Sequence, residues 1–355
     1  MKFLTCFAAS VNAYDIQTNT TAVPLTNWLS YFSDIYVADL PMILGSHDSG
    51  SVTVSPDEDW LGISGWLYAQ TQYLSIMSQL NAGIRFMDFR VWITYDNFDQ
   101  ENSIYISHTF RSTYTFAAAL DDVRLFLLAN PTEFVMLNLR IDAEHLLTES
   151  IPESKAYLQS VLVDSGVVLA NVVGADLLTL KVADVAGKVV LITKSTKVLP
   201  DDTTLKFIAT PSEYDVCDIY EYSSEYLAKE QISTCFPTTP VSARYTGQLT
   251  GFALDGQFDQ IWPSITSPQM NNWFMYNFQS NPDWKARTRY PIGVFLFDFV
   301  DTVQTATWVQ YIMNFGYPYP YLWDKPEWTM GDPITTKSYA ITNVFCILIA
   351  LILFQ

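Results

Sequence analysis

Basic residues are scarce in this chain, which has 19 Lys and Arg against 37 Asp and Glu. The resulting net charge of −18 repels phosphate backbones and argues against nucleic-acid binding. It also repels an anionic membrane leaflet, so contact with lipid would need aromatic side chains or a local basic site. Charged residues make up only 16% of the chain and hydrophobic residues 49%, which excludes a mainly disordered protein.

Cysteine is also rare, with four residues and no C-x-x-C pair, so nothing in the sequence supports a structural zinc site. Cys217 and Cys235 would form one disulfide in an exported chain, and two free buried thiols are the alternative. The chain also lacks repeats and low-complexity linkers. Its 355 residues suit one large domain or two ordinary ones.

Both ends of the chain are apolar. Residues 1–13 have the pattern of a signal peptide, with a buried first strand or helix as the alternative. Residues 332–355 combine a polar spacer with an uncharged apolar run, which predicts the signal for a glycosylphosphatidylinositol (GPI) anchor. A short tail anchor or a buried last helix would give the same run. We therefore expect a secreted or cell-surface chain, anchored through its tail; the glycosylation sequon at Asn19 agrees with export.

Short apolar runs alternate with helical patterns, which favours an α/β protein with a parallel covered sheet or a barrel. Helices are predicted over residues 69–83 and 115–131, where Gly and Asn-Pro end the pattern. The predicted strands are residues 37–44, 83–92, 103–108, 134–140, 188–194 and 293–300.

Polar side chains recur where these strands end. Active sites of parallel barrels lie at the C-terminal ends of the strands, so we expect these side chains to surround one site. Asp88 and Arg90 are two residues apart and therefore point to the same side of their strand. The full set is Ser46, His47, Asp48, Asp88, Arg90, His108, Arg140, Lys194 and Asp298.

Two of the three histidines, His47 and His108, end predicted strands. Two imidazoles with carboxylate partners and an arginine suit the attack of a hydroxyl on a phosphodiester. One histidine removes the proton of the nucleophile and the other protonates the leaving oxygen. Arginine neutralises the charge that develops on the phosphoryl oxygens. The third, His145, is interpreted as a surface residue.

Four motifs occur in order: LGSHDSG (44–50), GIRFMDFRV (83–91), ISHTF (106–110) and NPTEFVMLNL (130–139). Together they resemble the X domain of phosphatidylinositol-specific phospholipase C, in its bacterial-type, metal-independent branch with the eukaryotic X-domain-only relatives. The later half matches more loosely. The resemblance implies a distorted TIM barrel, with one catalytic domain over residues 25–328. It also implies cleavage of phosphatidylinositol, or of GPI anchors, to diacylglycerol and inositol 1,2-cyclic phosphate.

The resemblance also assigns roles. His47 would be the general base that deprotonates the inositol 2-hydroxyl, and His108 the general acid for the leaving group. Arg90 would bind the phosphate. Asp298 would pair with His47, and Asp48 with His108, to hold their orientation. Asp88 would orient its neighbours.

A metal is not expected. The calcium-dependent branch of the family holds Ca²⁺ with carboxylates, whereas Arg90 and Arg140 stand at two such positions. A guanidinium cannot ligate Ca²⁺ but supplies positive charge in its place. We therefore expect no cofactor, and we assign Arg140 and Lys194 to substrate binding. The chain also departs from the family pattern at one position: His108 is followed by Thr109, where the bacterial enzymes usually carry Gly.

Two other functions stay open. A catalytically weak surface protein that binds lipid or glycan would have no activity that depends on His47. A phosphodiesterase of the glycerophosphodiester or sphingomyelin type would need a divalent metal.

The aromatic stretch 308–328 would form a membrane-facing rim or a platform for inositol, or else pack against the barrel. We expect a monomer that acts on an inositol lipid in a membrane.

Overall fold

The computed structural model describes a little over half of the chain in several segments. They are residues 11–15, 24–52, 69–94, 103–108, 110–142, 152–193, 205–206, 208–209, 229–230, 232–233, 263–287, 293–301, 303, 305–315 and 337–341. Six positions singled out above lie outside them, namely Asn19, Thr109, His145, Lys194, Cys217 and Cys235. The predicted signal peptide and tail also lie outside, except for residues 11–13 and 337–341.

The chain divides into two compact units, Val23–Pro320 and the two termini, Met1–Ala22 with Tyr321–Gln355. The strands are β1 (Val11–Asp15), β2 (Ile43–Ser46), β3 (Phe86–Thr94), β4 (Ser103–His108), β5 (Phe110–Thr115), β6 (Val135–Ile141), β7 (Val189–Thr193), β8 (Ile208–Ala209), β9 (Val294–Phe297) and β10 (Lys337–Ile341). The α-helices are α1 (Ile76–Asn81), α2 (Phe116–Ala129), α3 (Pro152–Asp164), α4 (Val182–Val185), α5 (Pro263–Ser280), α6 (Pro282–Arg287) and α7 (Thr305–Phe315).

In the terminal unit, β1 pairs antiparallel with β10. In the larger unit, six strands follow one another in the order β9-β2-β3-β6-β7-β8, all paired in parallel. The side chains of β2, β7 and β9 are all buried, as expected for strands that are covered on both faces. Among the described helices, none combines the length and the hydrophobicity of a membrane-spanning segment.

A hairpin departs from the parallel arrangement predicted from the sequence. The C-terminal part of β3, from Val91 to Thr94, pairs antiparallel with β4. β4 in turn pairs antiparallel with β5. The hairpin begins where β2 no longer accompanies β3, because β2 pairs only with Phe86 and Met87. It therefore places His108, at the end of β4, level with Phe89 in the middle of β3, close to the level at which β2 ends.

The helix predicted over residues 69–83 is wrong in its first half, because α1 begins only at Ile76. Ser75 caps α1 by accepting a hydrogen bond from the amide of Ser78, and Gly83 follows the helix with φ +102°. Residues 37–44 are likewise not one strand, since Val37–Asp39 form a 3₁₀ turn and β2 starts at Ile43.

The outer face of β9 packs against aromatic side chains from three helices. Phe295 and Phe297 point to this face, so the alternation of the strand directs Leu296 and Asp298 to the other side. Trp308 is completely buried here, which supports packing against the barrel for this one residue of the aromatic stretch. The cluster contains Phe274, Phe278, Trp284, Phe295, Phe297 and Trp308.

A buried ion pair lies at the N-terminal end of the strands. Arg85, directly before β3, places Nε 2.7 Å from Oε2 of Glu133, which precedes β6, and neither side chain is exposed. Glu133 also accepts the amides of Leu29 and Ser30, and Arg85 donates to the carbonyl of Leu25. The pair thus ties the N-terminal segment to two central strands.

Candidate active site

Seven of the strand-end residues predicted from the sequence meet at the C-terminal end of the parallel strands. They lie on, end or directly follow five strands, and the pairing of these strands brings the residues together. His47 and Asp48 follow β2, Asp88 and Arg90 lie on β3, His108 ends β4, Arg140 lies on β6 and Asp298 follows β9.

His47 is held by Asp298. Its Nδ1 lies 2.8 Å from Oδ1 of Asp298, and the two side chains are 6% and 0% exposed. A carboxylate at this distance only accepts, so Nδ1 carries the hydrogen and Nε2 faces the site. The backbone supports this geometry, because the amide of His47 donates to the carbonyl of Phe297 over 3.0 Å.

Asp48 lies at the centre of the positive charges. Its Oδ1 is 2.6 Å from Nε of Arg90 and 3.9 Å from Nη2 of Arg140. Its Oδ2 is 3.2 Å from Nε2 of His47 and 3.4 Å from Nε2 of His108. The two imidazoles therefore flank one fully buried carboxylate, with ring centroids 6.2 Å apart.

Asp88 holds two of the residues around the central carboxylate in place. Its Oδ2 is 2.6 Å from Nη2 of Arg140, and its Oδ1 accepts the amide of the Asn138 side chain over 2.7 Å. Burial raises the pKa of Asp88, but the charges of Arg140, His47 and Arg90 together outweigh burial and lower the pKa below its ordinary value. The amide of Asp48 lies 3.3 Å from Oδ2 of Asp88, so the ionised carboxylate also holds the turn after β2.

His108 is oriented by the backbone. Its Nδ1 lies 2.8 Å from the carbonyl oxygen of Ala69, which only accepts, so Nδ1 carries a hydrogen. Nε2 then points to Asp48. The side chain is 16% exposed, whereas that of His47 is 6% exposed, so His108 is the more accessible histidine.

Burial and neighbouring charges shift the pKa values of the two histidines in opposite directions. For His47, burial disfavours the charged ring, but the carboxylates of Asp48 and Asp298 outweigh burial and raise the pKa. For His108, burial outweighs the attraction of Asp48 and lowers the pKa. Burial would raise the pKa of Asp48, but Arg90 and the two histidines hold it well below its usual range.

One set of side chains in the described part of the chain has the spacing of a metal site. His47, Asp48 and Asp88 each offer a donor atom, and these atoms lie within 4.8 Å of one another. Both carboxylates, however, already have guanidinium partners at 2.6 Å, Arg90 for Asp48 and Arg140 for Asp88. A cation here would have to compete with two arginines, so the residues fit a divalent metal poorly.

Sequence reasoning missed four residues that support the site. Asn138 had a signal, because it is two residues from Arg140 on the same predicted strand and so points to the same side. The structure places it in register with Asp88. Ala69, Thr71 and Gln72 had none, since they fell inside a predicted helix. Lys194, predicted to bind substrate, lies outside the described residues.

Part of the chain matches a known protein family in sequence. Residues 63–195 match the family model described as phosphatidylinositol-specific phospholipase C, X domain. The match includes Asp88, Arg90, His108 and Arg140, whereas His47 precedes it and Asp298 follows it. Over 131 residues the chain is 29% identical to the 1-phosphatidylinositol phosphodiesterase of Staphylococcus aureus strain Newman. That alignment covers 36% of this chain and 38% of the length of the curated relative.

Solved structures agree in fold. The phosphatidylinositol-specific phospholipase C from Listeria monocytogenes superposes with a TM-score of 0.59 at 17% identity, over 81% of this chain and 99% of that enzyme. A single-residue variant of the Staphylococcus aureus enzyme gives 0.56 at 17% identity, over 81% and 97%. The predicted distorted TIM barrel is thereby confirmed. Residues 63–195 of the chain thus match the X domain of phosphatidylinositol-specific phospholipase C, and the chain is similar in fold to the bacterial enzymes.

Proposed function

We propose that the chain is a phosphatidylinositol phospholipase C, which cleaves the glycerol–phosphate bond of its lipid. The observation that carries the proposal is the shared carboxylate of Asp48, which lies 3.2 Å from Nε2 of His47 and 3.4 Å from Nε2 of His108. Two imidazoles so placed can act on opposite sides of one phosphorus atom. An acid and a base in fixed positions are what internal displacement at a phosphodiester needs.

In the proposed reaction His47 is the base. Asp298 holds Nδ1–H, so the Nε2 lone pair of the neutral ring takes the proton of the inositol 2-hydroxyl. The hydroxyl oxygen then forms a bond to phosphorus, while the bond from phosphorus to the glycerol oxygen breaks. Protonated His108 donates its Nε2 proton to that oxygen, which gives diacylglycerol and inositol 1,2-cyclic phosphate. The two histidines thereby exchange protonation states.

Arg90 is placed to bind the phosphate. Its side chain is 22% exposed, its Nε holds Asp48, and its Nη2 lies 3.3 Å from Nε2 of His47. A phosphoryl oxygen next to His47 would thus meet the guanidinium, which neutralises the charge that develops as the cyclic ester forms. Arg140 is less directly placed, since its Nη2 is engaged by Asp88 at 2.6 Å.

The proposed enzyme uses no metal, since guanidinium groups hold the carboxylates that would ligate one. The test is the cleavage of phosphatidylinositol vesicles by the full chain, with and without EDTA, with inositol 1,2-cyclic phosphate as the measured product. Activity that is unaffected by EDTA is expected. Loss of activity in EDTA that added Ca²⁺ restores would show a metal enzyme, and a His47→Ala variant as active as the original would disprove the histidine mechanism.

The substrate and location are further proposals. We infer that the enzyme is exported and held at the cell surface, on the basis of the apolar residues at both ends of the chain. Free phosphatidylinositol and GPI-linked proteins share the inositol phosphodiester, so both are candidate substrates. Assays of vesicle hydrolysis and of the release of a GPI-linked protein, run side by side, distinguish them. Recovery of the chain from the cytosol would contradict export.

A further inference from the structure

Residues 69–72, which we call the strap, precede α1 and contact several segments of the site. The strap is largely buried: Ala69, Thr71 and Gln72 are 2%, 0% and 0% exposed. Its backbone and side chains reach the three chain segments that carry His47, His108 and Asp298. None of these strap residues offers an acid, a base or a charge, so the strap has no part in the chemistry proposed above.

Gln72 joins the ends of two strands. Its Nε2 donates to the carbonyls of His47 and Phe297, each over 2.9 Å. The pairing of β2 with β9 ends one step earlier, at Ser46 and Phe297. The carboxamide therefore continues the connection between the two strands beyond the sheet, at the level where His47 leaves one strand and Asp298 leaves the other.

The same carboxamide holds the turn that carries Asp298. Its Oε1 accepts the amide of Val300 over 3.1 Å, while its Nε2 holds the carbonyl of Phe297. These two groups flank Asp298 and Phe299, so one side chain fixes both ends of the turn. Phe299 has φ +49°, a conformation that costs free energy for a residue with a large side chain and needs support from its surroundings.

The other strap residues extend these contacts. The carbonyl of Thr71 accepts the amide of Phe299 over 2.7 Å, which supports the strained residue directly. The hydroxyl of Thr71 lies within reach of the carbonyls of His47 and Asp48, at 3.3 and 3.1 Å. The carbonyl of Ala69 accepts Nδ1–H of His108. Both histidines and Asp298 are thus fixed by one short segment.

We propose that the strap is a positioning element for catalysis and that Gln72 is its central positioning residue. It keeps Nδ1 of His47 against Asp298, while the carbonyl of Ala69 directs Nε2 of His108 toward Asp48. This inference rests on the proposed function, because positioning matters only if the two histidines act together. Residues that orient catalytic groups without touching substrate commonly change activity by about 10- to 100-fold.

Replacement of Gln72 by Leu tests the proposal. The variant keeps a side chain of similar size but removes all three hydrogen bonds, so Asp298 and His47 are no longer held at their present separation. In the full chain we expect kcat on phosphatidylinositol vesicles to fall about 10- to 100-fold with little change in KM. We also expect the pKa of His47, measured by NMR of the imidazole, to fall toward its ordinary value.

Gln79 provides a matched control. It is a second fully buried glutamine, and its Nε2 also donates to two carbonyls, those of Ser49 and Leu74, over 2.8 and 2.7 Å. Its side-chain hydrogen bonds go to these two carbonyls and, among the described residues, not to His47 or to the turn after β9. Gln79→Leu should lower the melting temperature as Gln72→Leu does, yet keep kcat within about threefold of the original enzyme and leave the pKa of His47 unchanged.

Thr71 offers a milder pair of variants if Gln72→Leu does not fold. Thr71→Val removes only the hydroxyl and should lower kcat, whereas Thr71→Ser keeps the hydroxyl and should restore it. The strap has no positioning role if Gln72→Leu retains both kcat and the pKa of His47, or if Gln79→Leu loses as much activity. An original chain without activity would overturn the proposed function instead, and the pKa comparison would still test the strap.

Discussion

His47 and Asp298 form a contact of 2.8 Å between residues that are 251 positions apart in the sequence. The parallel pairing of β2 with β9 produces it, because Ser46 and Phe297 are partners and each is followed directly by one member of the pair. Both groups are buried, so the interaction is little screened by solvent. The charge of Asp298 therefore contributes strongly to the protonation of His47.

Replacing Asp298 with Asn should reduce both the pKa of His47 and the rate of the reaction. Asp298 is one of the two carboxylates that raise this pKa, so removing its charge lowers the pKa. The amide also binds either tautomer of the ring, and the base loses its fixed orientation. We expect kcat to fall by about 10²- to 10⁴-fold, the range that positioned acid–base groups contribute. NMR titration of the imidazoles and vesicle assays measure the two effects.

Asp283 serves as the control for this substitution because it is an exposed carboxylate on α6. Asp283→Asn removes the same charge from the surface and should change neither quantity. If Asp298→Asn keeps the original pKa of His47, the contact has no electrostatic role, and a kcat equal to that of the control would exclude Asp298 from catalysis.

The pH dependence of kcat/KM should show which histidine limits each side of the profile. The base His47 must be neutral, yet its pKa is raised, and the acid His108 must be protonated, yet its pKa is lowered. With one proton on the pair, the proton therefore lies mostly on His47. The active form, in which His47 is neutral and His108 is protonated, is the less populated of the two. The alkaline side of the bell then follows the higher pKa, that of His47, and the acidic side follows that of His108.

Asp298→Asn makes this assignment testable. Because the substitution lowers the pKa of His47, it should move the alkaline side of the profile to lower pH and leave the acidic side in place. A shift of the acidic side alone would mean that His47 has the lower pKa of the pair in the free enzyme. The profile is measured below the KM of the vesicle substrate, so that it reports the free enzyme.

The strand-end residues could be predicted because a parallel strand has a simple signature. Its apolar run ends where the polar side chains begin, and this rule located His47, Asp88 and Arg140 on separate strands. His108 was located by the same pattern, although β4 is antiparallel. The partners of each residue could not be predicted in the same way. The contact of His47 with Asp298 depends on which strands are neighbours, and that information came from the family resemblance.

The strap could not be predicted at all, for a physical reason. Residues 69–83 contain only one strong stop signal, Gly83, so the apolar pattern continued through Thr71 and Gln72 as a helix. Their polar groups are instead used by carbonyls and amides of strands far away in the sequence. Tertiary hydrogen bonds of this kind override local helix preference and leave no periodic signature.

Asn138 should prove necessary for activity although it has no acid–base role. Its amide donates to Oδ1 of Asp88 over 2.7 Å, and Asp88 in turn holds Arg140. Asn138→Leu has a similar volume and leaves one oxygen of a buried carboxylate without this donor. We expect kcat to fall about 10- to 100-fold in vesicle assays.

Asn277 offers the corresponding control, since its amide donates to the carbonyl of Trp273 within α5. Asn277→Leu removes a side-chain hydrogen bond without touching the site and should keep full activity. Equal activity of the two variants would show that Asp88 does not need its amide partner.

The ion pair of Arg85 with Glu133 should contribute to stability and not to catalysis. It lies at the N-terminal end of the strands, opposite the site, and both side chains are fully buried. Glu133→Gln leaves the guanidinium buried without its counter-charge, so we expect the free energy of unfolding to fall by about 3–5 kcal/mol. Below the melting temperature of the variant, kcat should stay unchanged.

Denaturant unfolding is compared with Asp34→Asn, which breaks the exposed pair with Lys181 and should leave the unfolding midpoint unchanged. An unfolding midpoint for Glu133→Gln that matches this control would show that the buried pair adds nothing to the stability of the barrel.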